Sequence, residues 1–134
     1  MPYTFRISSS ISDGGPAIST QFNVDCEGKD GLDTVVTQGT NRTIPLTIPI
    51  ANIDVFYAVC DQDCTVLFKN AAGNTVKTWN AKANKAFYWE EESGFDLPFT
   101  DGIGSTLDDI VEINVAVPAG TDCKVKVVFG TNSV

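Results

Sequence analysis

From Tyr3 to Phe129, apolar residues recur at every second position in short runs, and turn-forming residues separate the runs. A side-chain period of two belongs to a strand with one buried face, whereas an amphipathic helix needs a period of about 3.6. Near the C-terminus Cys123, Val125, Val127 and Phe129 alternate with Lys124, Lys126 and Val128. Upstream, Val111, Ile113, Val115 and Val117 alternate with Glu112, Asn114 and Ala116, and Pro118 to Asp122 separate the two runs. This pattern predicts a strand–turn–strand unit with glutamate and lysine on its solvent face. In a second unit Ile53, Val55, Tyr57 and Val59 lead into Cys60-Asp61-Gln62-Asp63-Cys64, Val66 and Phe68 continue the alternation, and a turn at Asn70 to Asn74 precedes Thr75 to Trp79. These read as a three-stranded meander. Ala83-Asn84-Lys85 then makes a tight turn before a short aromatic strand, Ala86 to Glu90.

Earlier segments keep the same character. Tyr3, Phe5 and Ile7 alternate, as do Ile18, Thr20, Phe22 and Val24, and Leu32 to Thr37 is rich in β-branched residues. Pro45 and Pro49 interrupt Ile44 to Ile50; a proline cannot donate to a strand ladder, so this segment belongs on a sheet edge or at a strand switch. The glycine-rich Ser12 to Pro16 reads as an interstrand turn, the alternative being a hinge that frees residues 1–16 as an N-terminal arm. Leu107-Asp108-Asp109 is compatible with one helical turn. About eight to ten closely spaced short strands predict an all-β chain, a two-sheet antiparallel β-sandwich or jelly roll, with residues 1–134 as one domain.

A chain of 134 residues buries roughly two thirds of its unfolded surface, so it needs neither metal nor disulfide to fold. With 43% hydrophobic and 19% charged residues it lies far from the composition of disordered chains. Nine Lys and Arg against seventeen Asp and Glu give a net charge of −8, and the cations are scattered among carboxylates. Nucleic-acid binding depends on clustered cations, which argues against such a partner. No stretch reaches the roughly eighteen apolar residues of a membrane span, and Met-Pro-Tyr-Thr-Phe-Arg lacks the basic start and apolar run of a signal peptide. The expectation is a chain that is neither membrane-bound nor visibly secreted.

Candidate chemistry is sparse. The absence of histidine removes the commonest general base, metal ligand and activator of a Ser or Cys nucleophile, so no catalytic residue, cofactor or enzymatic role is expected. Glu90, Glu91 and Glu92 beside Trp89 raise the question of paired-carboxylate chemistry; consecutive strand residues point to opposite faces, and a solvated acidic turn is the expectation. Cys26, Cys60, Cys64 and Cys123 allow three full pairings. Without a secretory signal, buried free thiols are expected; Cys26, Cys64 and Cys123 each share a phase with an apolar neighbour. Cys60-x3-Cys64 resembles half a zinc site, but Cys26 and Cys123 lack partners at the short spacing of structural zinc ligands, so no metal is expected. Asp61-Gln62-Asp63 and Asp101-Gly102 do not continue into calcium loops.

Trp79, Phe87, Tyr88, Trp89, Phe95 and Phe99 form the most suggestive group. Most of them suit a β-sandwich core, while Phe95 and Phe99, in an irregular loop, are candidate exposed anchors for a partner, together with Tyr3 and Phe5 on the first strand. The run Lys82 to Trp89 followed by Leu97-Pro98-Phe99-Thr100-Asp101 resembles a pattern in small β-sandwich proteins of tailed bacteriophages, similar to head decoration or cement proteins. It covers the central third of the chain. The resemblance implies a non-enzymatic protein that folds in the host cytoplasm and then clamps the major capsid protein lattice on the head exterior, often as a homotrimer at local three-fold positions. A carbohydrate-binding β-sandwich module is the rival reading, for which a planar row of exposed Trp or Tyr would speak.

Overall fold

The structure, a computed structural model, describes residues 3–12, 14–91, 93, 95, 97–99 and 109–132; the side chains of Ile7, Ser9, Thr20 and Phe22 fall outside that description. Among the described residues there are ten strands: β1 (Tyr3–Ile11), β2 (Ile18–Cys26), β3 (Gly28–Val36), β4 (Asn41–Ile48), β5 (Ile53–Cys60), β6 (Cys64–Asn70), β7 (Thr75–Ala81), β8 (Phe87–Glu90), β9 (Ile110–Ala116) and β10 (Cys123–Thr131). A single 3-10 turn, Ile50–Asn52, precedes β5. The Leu107-Asp108-Asp109 expectation lies largely outside the described residues; Asp109 caps the 3-10 turn by accepting a hydrogen bond from Ile50 N at 3.0 Å.

Strands β3 to β10 build two antiparallel four-stranded sheets, ordered β3-β10-β5-β8 and β4-β9-β6-β7. Within this body the first strand pairs with the last, β3 with β10, and the pairing nests inward through β4 with β9 and β5 with β8 to the β6–β7 hairpin. One long antiparallel ribbon is thus folded over so that β10 also meets β5 and β9 meets β6. That order is a jelly roll. The alternation places Val36, Phe56, Val66, Phe68, Ile113, Val115, Val125, Val127 and Phe129 in one buried layer between the sheets.

The expected meander is corrected by this topology: β5 and β6 lie in different sheets, and only β6–β7 is a hairpin. The same holds for β9 and β10, which the chain links across the sandwich rather than within one sheet. Alternation records that each strand has a buried face, and two strands facing each other across a core read like two strands side by side. The prolines were informative: β4 is an edge strand, with a register irregularity between Pro45 and Ile48. At Asn84 the backbone takes the left-handed conformation (φ 62°), as the tight turn before β8 requires.

β1 and β2 form a separate two-stranded sheet, registered from Tyr3 opposite Cys26 to Ile11 opposite Ile18. The segment expected as a turn, Ser12 to Pro16, of which Asp13 lies outside the described residues, lies between these paired strands, and the ribbon runs on to Cys26. Apolar pairs recur along it: Tyr3 with Cys26, Phe5 with Val24, Ile7 with Phe22 and Ile11 with Ile18.

Candidate functional site

Three places bring chemistry-bearing residues together: the seat of the ribbon, an aromatic groove beside β8, and a buried group of thiols.

The ribbon is seated on the outer face of the β3-β10-β5-β8 sheet, where β2 meets β5. Gly130 of β10 makes the close approach possible, because a Cβ there would collide with Cys26 Sγ and stand 2.7 Å from the Phe5 ring and 2.9 Å from Val55 Cγ1. Cys26 and Val55 are consequently buried although neither belongs to the layer between the sheets. Beyond the seat the ribbon opens to solvent: Ile11 is 71% and Ile18 67% exposed. Of the ribbon residues proposed as contacts, Tyr3 is exposed, with Lys29 Nζ 5.8 Å from its ring centroid, while Phe5 is half-buried in the seat.

Beside the seat, Asp25, Asp54, Glu90 and Glu91 line one small hollow together with Asn23 and Asn132. Glu90 corrects the expectation of a solvated acidic turn, since it is only 2% exposed; Glu91 is exposed, and Glu92 lies outside the described residues. Burial, then a hydrogen bond and charge repulsion from Glu91, push the Asp54 carboxyl up to about 6. The Cys26 thiol is raised too, first by burial and then by Asp54, Asp25 and Glu91. Asp54 and Glu91 are close enough for that hydrogen bond, whereas a glycosidase pair stands about 5 Å or more apart to leave room for the glycosidic oxygen.

The aromatic groove runs along β8, an edge strand, and is lined by Tyr88, Trp89, Phe95 and Pro98 among others. Trp89 Nε1 donates to the Phe95 carbonyl at 2.9 Å, which fixes the loop and leaves the Phe95 ring 78% exposed. Phe99 does not join it. It is fully buried, with its centroid 4.9 Å from Phe56, 5.1 Å from Phe68 and 5.8 Å from Phe87. Its ring packs with Phe56, Phe68 and Phe87 in the aromatic cluster between the sheets. Phe99 is thus a core residue and not an anchor.

The thiol group was the feature that spacing along the chain could not disclose. Cys60 ends β5, Cys64 begins β6 and Cys123 begins β10, and all three point into the core at one end of the sandwich. In the sheet, Cys60 lies opposite Val125, so Cys123 is the next inward residue on the neighbouring strand. The Asp61-Gln62-Asp63 link, crossing from one sheet to the other, sets Cys64 above both. The three Sγ atoms lie within 4.8 Å of one another, and Cys123 Sγ stands 4.0 Å from Cys64 Sγ. The link is pinned: Asp61 N donates to the Lys124 carbonyl at 3.1 Å, Lys124 N donates to Asp61 Oδ1 at 2.7 Å, and Ala83 N donates to Asp63 Oδ1 at 2.8 Å. Hydrogen bonds from Cys60 hold the Cys64 thiol down to about 7, whereas Cys60, as the donor, is pushed up, and burial raises Cys123. All four cysteines are buried with free thiols.

No protein-family model, curated protein or solved structure matches this chain.

Proposed function

We propose that this chain is a non-enzymatic assembly protein that attaches to the ordered lattice of another protein, in the manner of a decoration protein on the exterior of a phage head, and stabilises that lattice. The observation that carries the reading is the β1–β2 ribbon. Nine residues per strand at about 3.4 Å each make it about 30 Å long; among its described side chains those packed on the body lie near the base, and it ends in two exposed isoleucines. An isolated two-stranded ribbon is marginal in water. This one keeps apolar residues at its tip and two unpaired strand edges, which are what a neighbouring chain needs for side-chain docking or strand addition.

The jelly roll supports the reading only in part, because viral shells and lectins both use it. The aromatic residues tip the balance. A sugar platform needs a flat exposed row, but Trp79 and Trp89 are both half-buried and packed against the core. Contact with the major capsid protein then falls to Ile11 and Ile18 at the ribbon tip, to Tyr3 at its base and to Tyr88 and Phe95 at the β8 edge. Assembly as a homotrimer would let the ribbon of one copy reach the next.

The test is co-sedimentation with expanded capsids of the phage that encodes the chain. Saturable attachment at micromolar concentration is expected, with decorated shells resisting heat better than bare ones because a ligand of the assembled state stabilises it by mass action. No attachment to capsids, together with clear binding to a polysaccharide, overturns the reading in favour of a carbohydrate-binding module.

A further inference from the structure

We infer that Cys60, Cys64 and Cys123 form a binding site for one thiophilic divalent cation, Zn2+, held by three thiolates at the end of the jelly roll. The geometry is close to what the ion needs. A Zn–S bond of about 2.3 Å puts sulfurs that share one zinc about 3.8 to 4.0 Å apart, in tetrahedral and trigonal arrangements respectively. Cys64 and Cys123 already stand 4.0 Å apart, and the widest separation within the group, at most 4.8 Å, has to close by about 1 Å or less. The ligands also arrive on stiff supports. Each cysteine is the terminal residue of a strand, and the Asp61 and Asp63 hydrogen bonds fix the link between two of them.

Charge decides between the ions that favour thiolates. Asp61 and Asp63 flank the group and all three sulfurs are buried, so a cation that offsets the thiolate charge is favoured there over bare thiolates. Three thiolates with Zn2+ leave a net −1, whereas a monovalent soft ion such as Cu+ leaves −2 beside two carboxylates. Binding follows the balance of three thiols and Zn2+ giving one zinc–trithiolate and three protons. Cys64, which keeps 6% of its surface exposed beside fully buried Cys60 and Cys123, marks the side from which the ion enters and a water completes the coordination. Because Cys60 and Cys123 come from one sheet and Cys64 from the other, the ion joins the two sheets. It adds stability to a domain that is large enough to fold without it.

Full-length protein, reduced and stripped of metal by a chelator, is titrated with Co2+ and then with Zn2+. One equivalent of Co2+ is expected to give thiolate charge-transfer absorption, one equivalent of Zn2+ to abolish it, and the thermal midpoint to rise by several degrees with zinc. Cys26→Ser should behave like the unaltered chain, since that thiol sits apart under the ribbon, while Cys64→Ser should lose tight one-to-one binding. The cobalt titration needs no variant, so a misfolded mutant does not protect the inference. Absence of thiolate absorption in the reduced, unaltered chain overturns it. So does full zinc binding by a folded Cys64→Ser variant, or a disulfide among the three thiols that forms even when cells are opened in the presence of zinc.

Discussion

The jelly-roll body and the β1–β2 ribbon are written in the same alternating code, yet the body closes its inward apolar face and the ribbon leaves its tip open. In the body the inward strand faces meet one another across the layer between sheets, and Phe56, Phe68, Phe99 and Phe129 are each almost fully enclosed. In the ribbon the Phe5 and Val24 pair finds the outer face of β5 and β10, while Ile11 and Ile18 find only each other. A buried face that is satisfied internally is a folding device; an identical face left without a cover is an offer to a neighbour.

The comparison breaks most sharply at Phe99. If it belongs to the body, Phe99→Ala removes a ring packed against three others and costs about 3 to 5 kcal/mol of global stability, readable by urea denaturation. If it were a docking residue, stability would stay within about 0.5 kcal/mol of the parent. The former is expected.

Next in size is the seat itself. Gly130→Ala places a methyl group where Cys26 Sγ and the Phe5 ring already lie, an overpacking that costs about 1 to 3 kcal/mol. The loss should be local. Amide exchange in β1 and β2 is expected to accelerate while β6 and β9 keep their protection, and a uniform acceleration across all strands would mean that the ribbon and body unfold as one unit.

The acidic hollow beside the seat makes a pH-dependent version of the same test. The folded state raises the Asp54 carboxyl from 3.8 to about 6, so the fold prefers the protonated form. The contribution is fully present below about pH 4 and is lost as pH rises through about 6. Glu91, Asp25 and Glu90 line the same hollow, so the informative quantity is a difference between chains. Unfolding free energy of the parent minus that of Asp54→Asn, whose amide carries no charge, should decline from pH 4 to 6.5 and be flat above. A flat difference throughout would remove Asp54 from the seat's energetics.

Much of the body was legible from the chain alone, and the reasons are specific. Runs such as Cys123-Val125-Val127-Phe129 stated which residues are buried, and Pro45 stated that β4 lies at an edge. What alternation does not encode is the partner across the core, and every misreading follows from that. β5 and β6 looked like a hairpin, Phe99 looked like a loop tip, and Cys123 looked isolated at a sequence separation of 59 from Cys64. The thiol group exists only because the chain crosses between sheets at Asp61-Gln62-Asp63 and β10 returns beside β5. Glu90 failed for a related reason: its burial depends on how the strand end meets neighbouring elements, and composition is silent on that.

The smallest effect on the fold belongs to the ribbon tip, and there the contrast between stability and attachment is widest. Ile11 and Ile18 face each other across the last registered pair of the ribbon, and both are more than half exposed. Replacing both with serine removes no contact with the body, so the unfolding free energy should move by less than about 0.5 kcal/mol. The proposed attachment tells the opposite story. An apolar pair at the end of a long, narrow element has few neighbours to share its burial, so most of its contribution appears only when a partner covers it. Ile11→Ser with Ile18→Ser should therefore weaken co-sedimentation with capsids by more than about 1 kcal/mol, roughly a fivefold loss of affinity, while Phe95→Ala at the distant β8 edge reports independently on the aromatic groove. Equal loss of stability in the free chain would place the two isoleucines in the body's own core after all. Unchanged attachment with unchanged stability would move the docking surface from the ribbon to the β8 edge, where Tyr88 and Phe95 are the remaining large exposed aromatics.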